Sequence, residues 1–118
     1  MWDGFNKRQF PRIHVGCEVV IHPSGKRKAF RTKTENVGMG GICVLLNERI
    51  ERFDRCNLGL DLADGEPPIQ FSGRSVWIIP CRDVKSSKMS FDTGIEFLEV
   101  DEQNRKRLEA FLCNRSGE

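Results

Sequence analysis

Tyrosine is absent from the 118 residues, and histidine and tryptophan occur only twice each. Cysteine is present five times, as Cys17, Cys43, Cys56, Cys81 and Cys113, but in no paired arrangement. The count is odd, no two are closer than 13 positions, and no CxxC occurs. That pattern argues against a disulfide framework or a structural zinc site, and for reduced thiols in a reducing compartment. His14 and His22 lie eight apart and can share one strand face, yet neither sits in a nucleophile, zinc or HExxH context. GxSxG, the P-loop and the dinucleotide fingerprint are all missing. The sequence therefore assigns no catalytic residue, no metal ligand and no cofactor, and an enzyme is not expected. No apolar run is long enough to span a membrane, and MWDGFNKRQFPR carries no signal-type apolar stretch. Membrane insertion and secretion are not expected. Excess charge of one sign is also lacking: Lys and Arg total 19 against 17 for Asp and Glu, a net +2. A whole-surface nucleic-acid or membrane binder would carry more, so any anion site must come from local clustering.

What is present is a globular composition, 38% hydrophobic and 31% charged, at a length that suits one domain. Val15, Cys17, Val19 and Ile21 alternate with polar residues, as in a half-buried strand. His22-Pro23-Ser24-Gly25 is a turn. The basic, Thr-rich segment 26–35 suits a strand that is edge-like or mostly solvated. Ile42-Cys43-Val44-Leu45-Leu46 reads as a more fully buried one. Cys56, Leu58, Leu60 and Leu62 alternate again, and Asp64-Gly65-Glu66-Pro67-Pro68 is a turn. Residues 69–79 form a longer strand, and Pro80 to Lys88 a polar loop. Met89, Phe91, Thr93, Ile95 and Phe97 give the clearest alternation in the chain. The period then becomes helical, with Asp101 as N-cap, Glu102 in the first turn, and Leu108, Phe111 and Leu112 on one face. The expected fold is all-β with one C-terminal helix: a six-stranded antiparallel barrel behind an irregular N-terminal arm. Residues 1–14 form the arm and 15–118 a single domain, with the helix from about 101 covering an open end or edge.

Two elements carry chemistry. In Lys7-Arg8-Gln9-Phe10-Pro11-Arg12, the proline holds Phe10 extended, so Arg8 and Arg12 are not a helix-face pair. In an extended arm, two guanidinium forks can converge on one object, pairing with phosphate or a guanine edge or stacking on a flat ring. A solvated basic tail is the other reading. The second element is Asn36-Val37-Gly38-Met39-Gly40-Gly41. Its glycines permit positive φ and close backbone approach, and its N–H groups can form an anion-accepting concavity. The Asn36 amide offers both a donor and an acceptor to a purine edge. A ligand-free turn between strands is the alternative.

Together these elements resemble the PilZ domain family, whose motif pair is RxxxR in an N-terminal arm and [DN]xSxxG at a strand corner 20–30 residues later. Arg8-Gln9-Phe10-Pro11-Arg12 and Asn36 to Gly41 stand in those places. Val76-Trp77 and Gly94-Ile95-Glu96-Phe97 match two later landmarks, so the resemblance runs from about Lys7 to Leu112. It implies the barrel just described and a bacterial cytoplasmic receptor for cyclic di-GMP. By that analogy Arg8 and Arg12 contact phosphates and guanines, Asn36 bonds a guanine, and Gly41 allows the close turn. Gln9, Trp77 and Gly94 complete the implied site, with Trp77 either packed in the barrel or facing the ligand groove. Lys7 stands where a basic residue accompanies binding of an intercalated nucleotide dimer. One departure matters: the serine of the motif is Gly38 here. A lost hydroxyl contact would weaken binding by about 0.5–1.5 kcal/mol, up to roughly tenfold.

Three functions follow as expectations. The first is a cyclic di-GMP receptor whose arm folds over the ligand and whose remodelled surface is read by a downstream protein partner. The second is an adaptor of the same fold that does not bind nucleotide, motivated by Gly38. The third, a nucleic-acid-binding barrel, needs aromatics on a basic strand face; only Phe30 and Phe71 offer themselves, so binding of DNA or RNA is not expected. The basic runs Arg27 to Lys33 and Arg105-Lys106-Arg107 read as solvated faces, the first able to raise the local potential for an anion.

Overall fold

The computed structural model describes residues 12–25 and 28–116. Six strands form in chain order: β1 (Glu18–Pro23), β2 (Phe30–Val37), β3 (Gly41–Leu46), β4 (Arg55–Leu60), β5 (Ile69–Arg82) and β6 (Met89–Glu99), followed by helix α1 (Glu102–Ser116). They close into a barrel in the order β1-β2-β3-β6-β5-β4, with every pairing antiparallel. Closure gives every strand a partner on both sides over at least part of its length, which limits the open edge that is the usual hazard of a small β fold. The period-two pattern sets the inward face. Val19, Ile21, Val37, Ile42, Val44, Leu58, Leu60, Ile69 and Ile95 are essentially fully buried in one core. Phe71, within it, stacks on the partly buried Phe97, with centroids 4.2 Å apart.

The helix lays Leu108 and Leu112 into the same core, both with no exposed surface. It sits at the barrel end formed by the start of β1, the end of β4 and the start of β5. Phe111 there lines small clefts with Val15, Cys17, Leu62 and Ala63. Asp101 caps the helix, its Oδ1 accepting from the Asn104 N–H at 2.8 Å. Arg107, read from sequence as solvated, instead ties the helix to the β4–β5 loop. It donates to both Asp64 oxygens, at 2.8 and 2.9 Å, and to the Pro67 carbonyl at 2.9 Å. Those bonds hold the Asp64 carboxyl below its ordinary pKa, the Arg107 hydrogen bond being the main cause. Among the described residues no helix is long and apolar enough to cross a membrane.

The structure corrects two element readings, the second and fifth strands. The basic Thr-rich strand β2 is not an edge: it pairs with β1 on one side and β3 on the other. Its exposed positions Arg31, Lys33 and Glu35 simply face outward from a closed barrel. Strand β3 is the more fully buried strand expected: every residue of it is buried except Leu45, which is 43% exposed and points out. The segment after residue 79 is not yet loop: β5 runs to Arg82, with Pro80 opposite Phe91. A proline is tolerated there because β4 pairs only as far as Arg74, so the missing N–H falls on an unpaired side.

Contacts also begin ahead of β1. Ile13 exchanges two 2.9 Å backbone hydrogen bonds with Val37. Thr34 secures the next stretch: its hydroxyl accepts from the Cys17 N–H at 2.9 Å and donates to the Val15 carbonyl at 2.6 Å. Residue 12 is thereby delivered beside the β2–β3 corner.

Candidate functional site

The outer face of the barrel carries one continuous row across four strands. Asn36 pairs with Cys43, Cys43 with Gly94, and Gly94 with Trp77. Neighbouring strands lie about 4.8 Å apart, so the row spans about 14 Å of surface. Both ends owe their placement to register shifts, one between Thr34 and Asn36 and one between Ser75 and Trp77. Bulges of this kind re-aim side chains next to binding sites.

At the β2 end, Arg12 folds over the corner. Its Nε and Nη2 both donate to Asn36 Oδ1, at 2.9 and 2.5 Å. The guanidinium is half-buried, and desolvation lowers its pKa from the ordinary value, with nearby Cys43 acting the other way. Arginine stays protonated through such a shift, so this is a partly desolvated cation on the barrel surface. A desolvated cation bonds an anion more strongly than a hydrated one does.

Of the two uses expected of the corner glycines, close backbone approach is found and positive φ is not. Neither Gly38 nor Gly41 takes a left-handed φ. Gly41 is required by close strand approach: a Cβ there would lie 2.2 Å from the Ile95 carbonyl oxygen of β6. Gly38 is covered by Arg12, whose Cγ would stand 2.9 Å from an added Cβ.

At the far end of the row the indole of Trp77 lies flat over Gly94. An added Cβ would meet three ring atoms at 2.4 to 2.5 Å. Trp77 is half-buried and sits on the outside of the barrel, not in its core. Absence of a side chain at Gly94 is what lets the ring lie down.

A cluster that the sequence reading passed over lies between the two ends. The Cys43 thiol donates to Asp92 Oδ1 at 2.9 Å and to Glu35 Oε1 at 3.4 Å. The three ligand-type atoms lie within 4.8 Å of one another, close enough to face a cation. Burial, then the Asp92 and Glu35 contacts, drive the thiol pKa well above its ordinary value. Cys43 therefore stays protonated at neutral pH, its single S–H directed mainly to Asp92 and shared with Glu35. The signal was a cysteine at an outward position of β3, hidden because the strand read as uniformly apolar.

Of the residues singled out from sequence, Arg12, Asn36, Gly38, Gly94 and Trp77 lie on or beside this row, and Gly41 anchors the strand beneath it. Lys7, Arg8 and Gln9 lie outside the described residues. His14 and His22 are both exposed. A broad groove lined by Asn57, Gln70, Phe71 and Glu99 shares no residue with the row.

Several solved structures share this fold. The chain aligns with Bacillus subtilis inhibitor of motility (MotI/DgrA) at a TM-score of 0.73 and 24% identity, covering 92% of this chain and 51% of that one. It aligns with the PilZ domain, with c-di-GMP, of YcgR from Escherichia coli at 0.71 and 15%, covering 94% of each. It aligns with the K. pneumonia MrkH–c-di-GMP complex at 0.71 and 12%, covering 92% of this chain and 51% of that one. The chain thus spans about half the length of the first and third and nearly all of the second. At these identities the likeness is one of fold. No curated protein matches the chain in sequence. The sequence profile of the PilZ domain, however, matches residues 6–113, from the arm through the barrel and most of the helix. On that match over nearly its whole length, the chain belongs to the PilZ domain family.

Proposed function

We propose that this domain is a receptor for cyclic di-GMP, bound on the outer row between the Arg12–Asn36 corner and Trp77. The observation that carries the reading is the Arg12–Asn36 contact itself. Two polar residues 24 apart in sequence, one from each motif, meet over a glycine corner on the barrel surface. Both have chemistry that a guanine dinucleotide can use.

The exchange on binding follows from their bonding. In the structure Asn36 Oδ1 takes two N–H groups of Arg12. A phosphodiester is a better acceptor for a guanidinium than an amide oxygen, because the bond is charge-assisted. When phosphate takes Arg12, the Asn36 amide is released to pair with a guanine edge through both its donor and its acceptor. Arg31 and Lys33, exposed on the outer face of β2, raise the positive potential along the approach. Arg8 supplies the second guanidinium and Lys7 a further cation, drawn to the same face as the ligand binds. The surface so formed is what a downstream protein reads. The role is that of a receptor in signalling, not of an enzyme.

Calorimetric titration of cyclic di-GMP into the domain tests this. Arg8→Ala and Arg12→Ala should each lose about 2–4 kcal/mol, a roughly 30- to 1,000-fold weakening. If both variants bind like the unaltered protein, the site is wrong. If the unaltered protein gives no heat, a nucleotide-independent adaptor takes the place of the receptor.

A further inference from the structure

The glycine at position 38 invites the reading that a ligand contact has been lost. The geometry around it points elsewhere. Gly38 has no left-handed φ, so its backbone does not demand glycine. Its side-chain space is filled. An added Cβ would stand 2.9 Å from Arg12 Cγ, 3.1 Å from Nη1 and 3.6 Å from Cζ. At Gly25 and Gly65, where φ is left-handed, the same test meets nothing within 4 Å.

Arg12 cannot simply step aside. Its neighbour Ile13 is fixed by paired 2.9 Å backbone hydrogen bonds to Val37, the residue before Gly38. That antiparallel pair sets Arg12 opposite position 38. Cγ is only two bonds from the arginine Cα and is placed by χ1 alone, so the contact of a Cβ at 38 with it is relieved only by changing χ1 or shifting the backbone. A change of χ1 swings the guanidinium, several bonds further out, away from Asn36 Oδ1.

We propose that Gly38 is a positioning residue: by lacking a Cβ it makes the seat on which the Arg12 stem lies and aims the guanidinium at Asn36 and the nucleotide row. The inference rests on the cyclic di-GMP reading. Glycine and arginine here are matched to each other. The serine of the family motif does not restore a hydrogen bond in this protein; it unseats the arginine.

The test uses Gly38→Ser and Gly38→Ala, each read in two ways. Calorimetry with cyclic di-GMP gives affinity. In the ligand-free protein, the Arg12 Nε–H resonance and its exchange rate with water report the bond to Asn36, with Asn36→Ala as the reference for a lost bond. Both Gly38 variants are expected to keep the native melting cooperativity, weaken binding about tenfold, and move the Arg12 Nε–H signal toward that of Asn36→Ala. Tighter binding by Gly38→Ser, or an unmoved Arg12 signal in both variants, overturns the proposal. If the unaltered protein fails to bind but the Arg12 signal still moves, the positioning stands and the nucleotide reading falls.

Discussion

Replacing Gly41 by alanine adds one methyl group at the most crowded backbone contact of the barrel. The new Cβ would stand 2.2 Å from the Ile95 carbonyl oxygen and 3.0 Å from Glu96 Cα. An ordinary carbon–oxygen contact is about 3.3 Å, so β3 and β6 must separate by about 1 Å. Both nearest atoms are backbone, so no side-chain rotation relieves the clash. The separation strikes where the Phe97 N–H donates to the Gly40 carbonyl at 2.8 Å, and where Gly41 faces Glu96. Overpacking costs about 1–3 kcal/mol, and weakening one or two ladder bonds adds about 1 kcal/mol more. The expected loss is therefore about 2–4 kcal/mol, which for a chain of this size lowers Tm by about 8–16 °C. Gly16→Ala is the control, since its nearest neighbours are 3.7 Å away and it should move stability by less than about 0.5 kcal/mol. Thermal melts and urea titrations of both variants give the comparison. If Gly41→Ala is as stable as Gly16→Ala, the close β3–β6 approach is not what position 41 requires.

Two further outcomes follow from burial. Leu112→Ala removes a side chain with no exposed surface from the helix–barrel contact, and should cost about 2–5 kcal/mol in urea unfolding. A loss under 1 kcal/mol would mean the helix does not complete the core. Cys43, buried and protonated between Glu35 and Asp92, should resist alkylation at pH 8 while exposed Cys81 is labelled, as peptide mass spectrometry would show. Equal labelling of the two would contradict the bonded thiol.

The architecture was legible because strand alternation and a terminal helical period are local signals. Val19 and Ile21, or Leu58 and Leu60, declare their inward face without reference to any partner. What escaped depends on closure and register. The second strand looked like an edge because its outward residues are Arg31, Lys33 and Glu35; only ring closure shows that it is paired twice. Cys43 looked like core because Val44 and Leu46 follow it, and its carboxylate neighbours come from β2 and β6, eight and 49 residues away. Arg107 looked solvated because its partner Asp64 lies 43 residues earlier. At the site, the two motifs announced Arg12, Asn36 and the glycines by type and spacing. The alignment of Asn36, Cys43, Gly94 and Trp77 in one row did not show, since it depends on two bulges whose positions no periodicity reveals. The reason for Gly38 was likewise hidden in the path of Arg12.

The central claim is a place on the barrel as well as a ligand, so the most direct measurement is an amide and side-chain chemical-shift map recorded during titration with cyclic di-GMP. The account predicts that the largest changes fall on Arg12, the Asn36 side-chain amide, Gly38, Cys43, Gly94 and the Trp77 indole. Changes gathered instead around Asn57, Gln70 and Glu99, or none at saturating nucleotide, would contradict it.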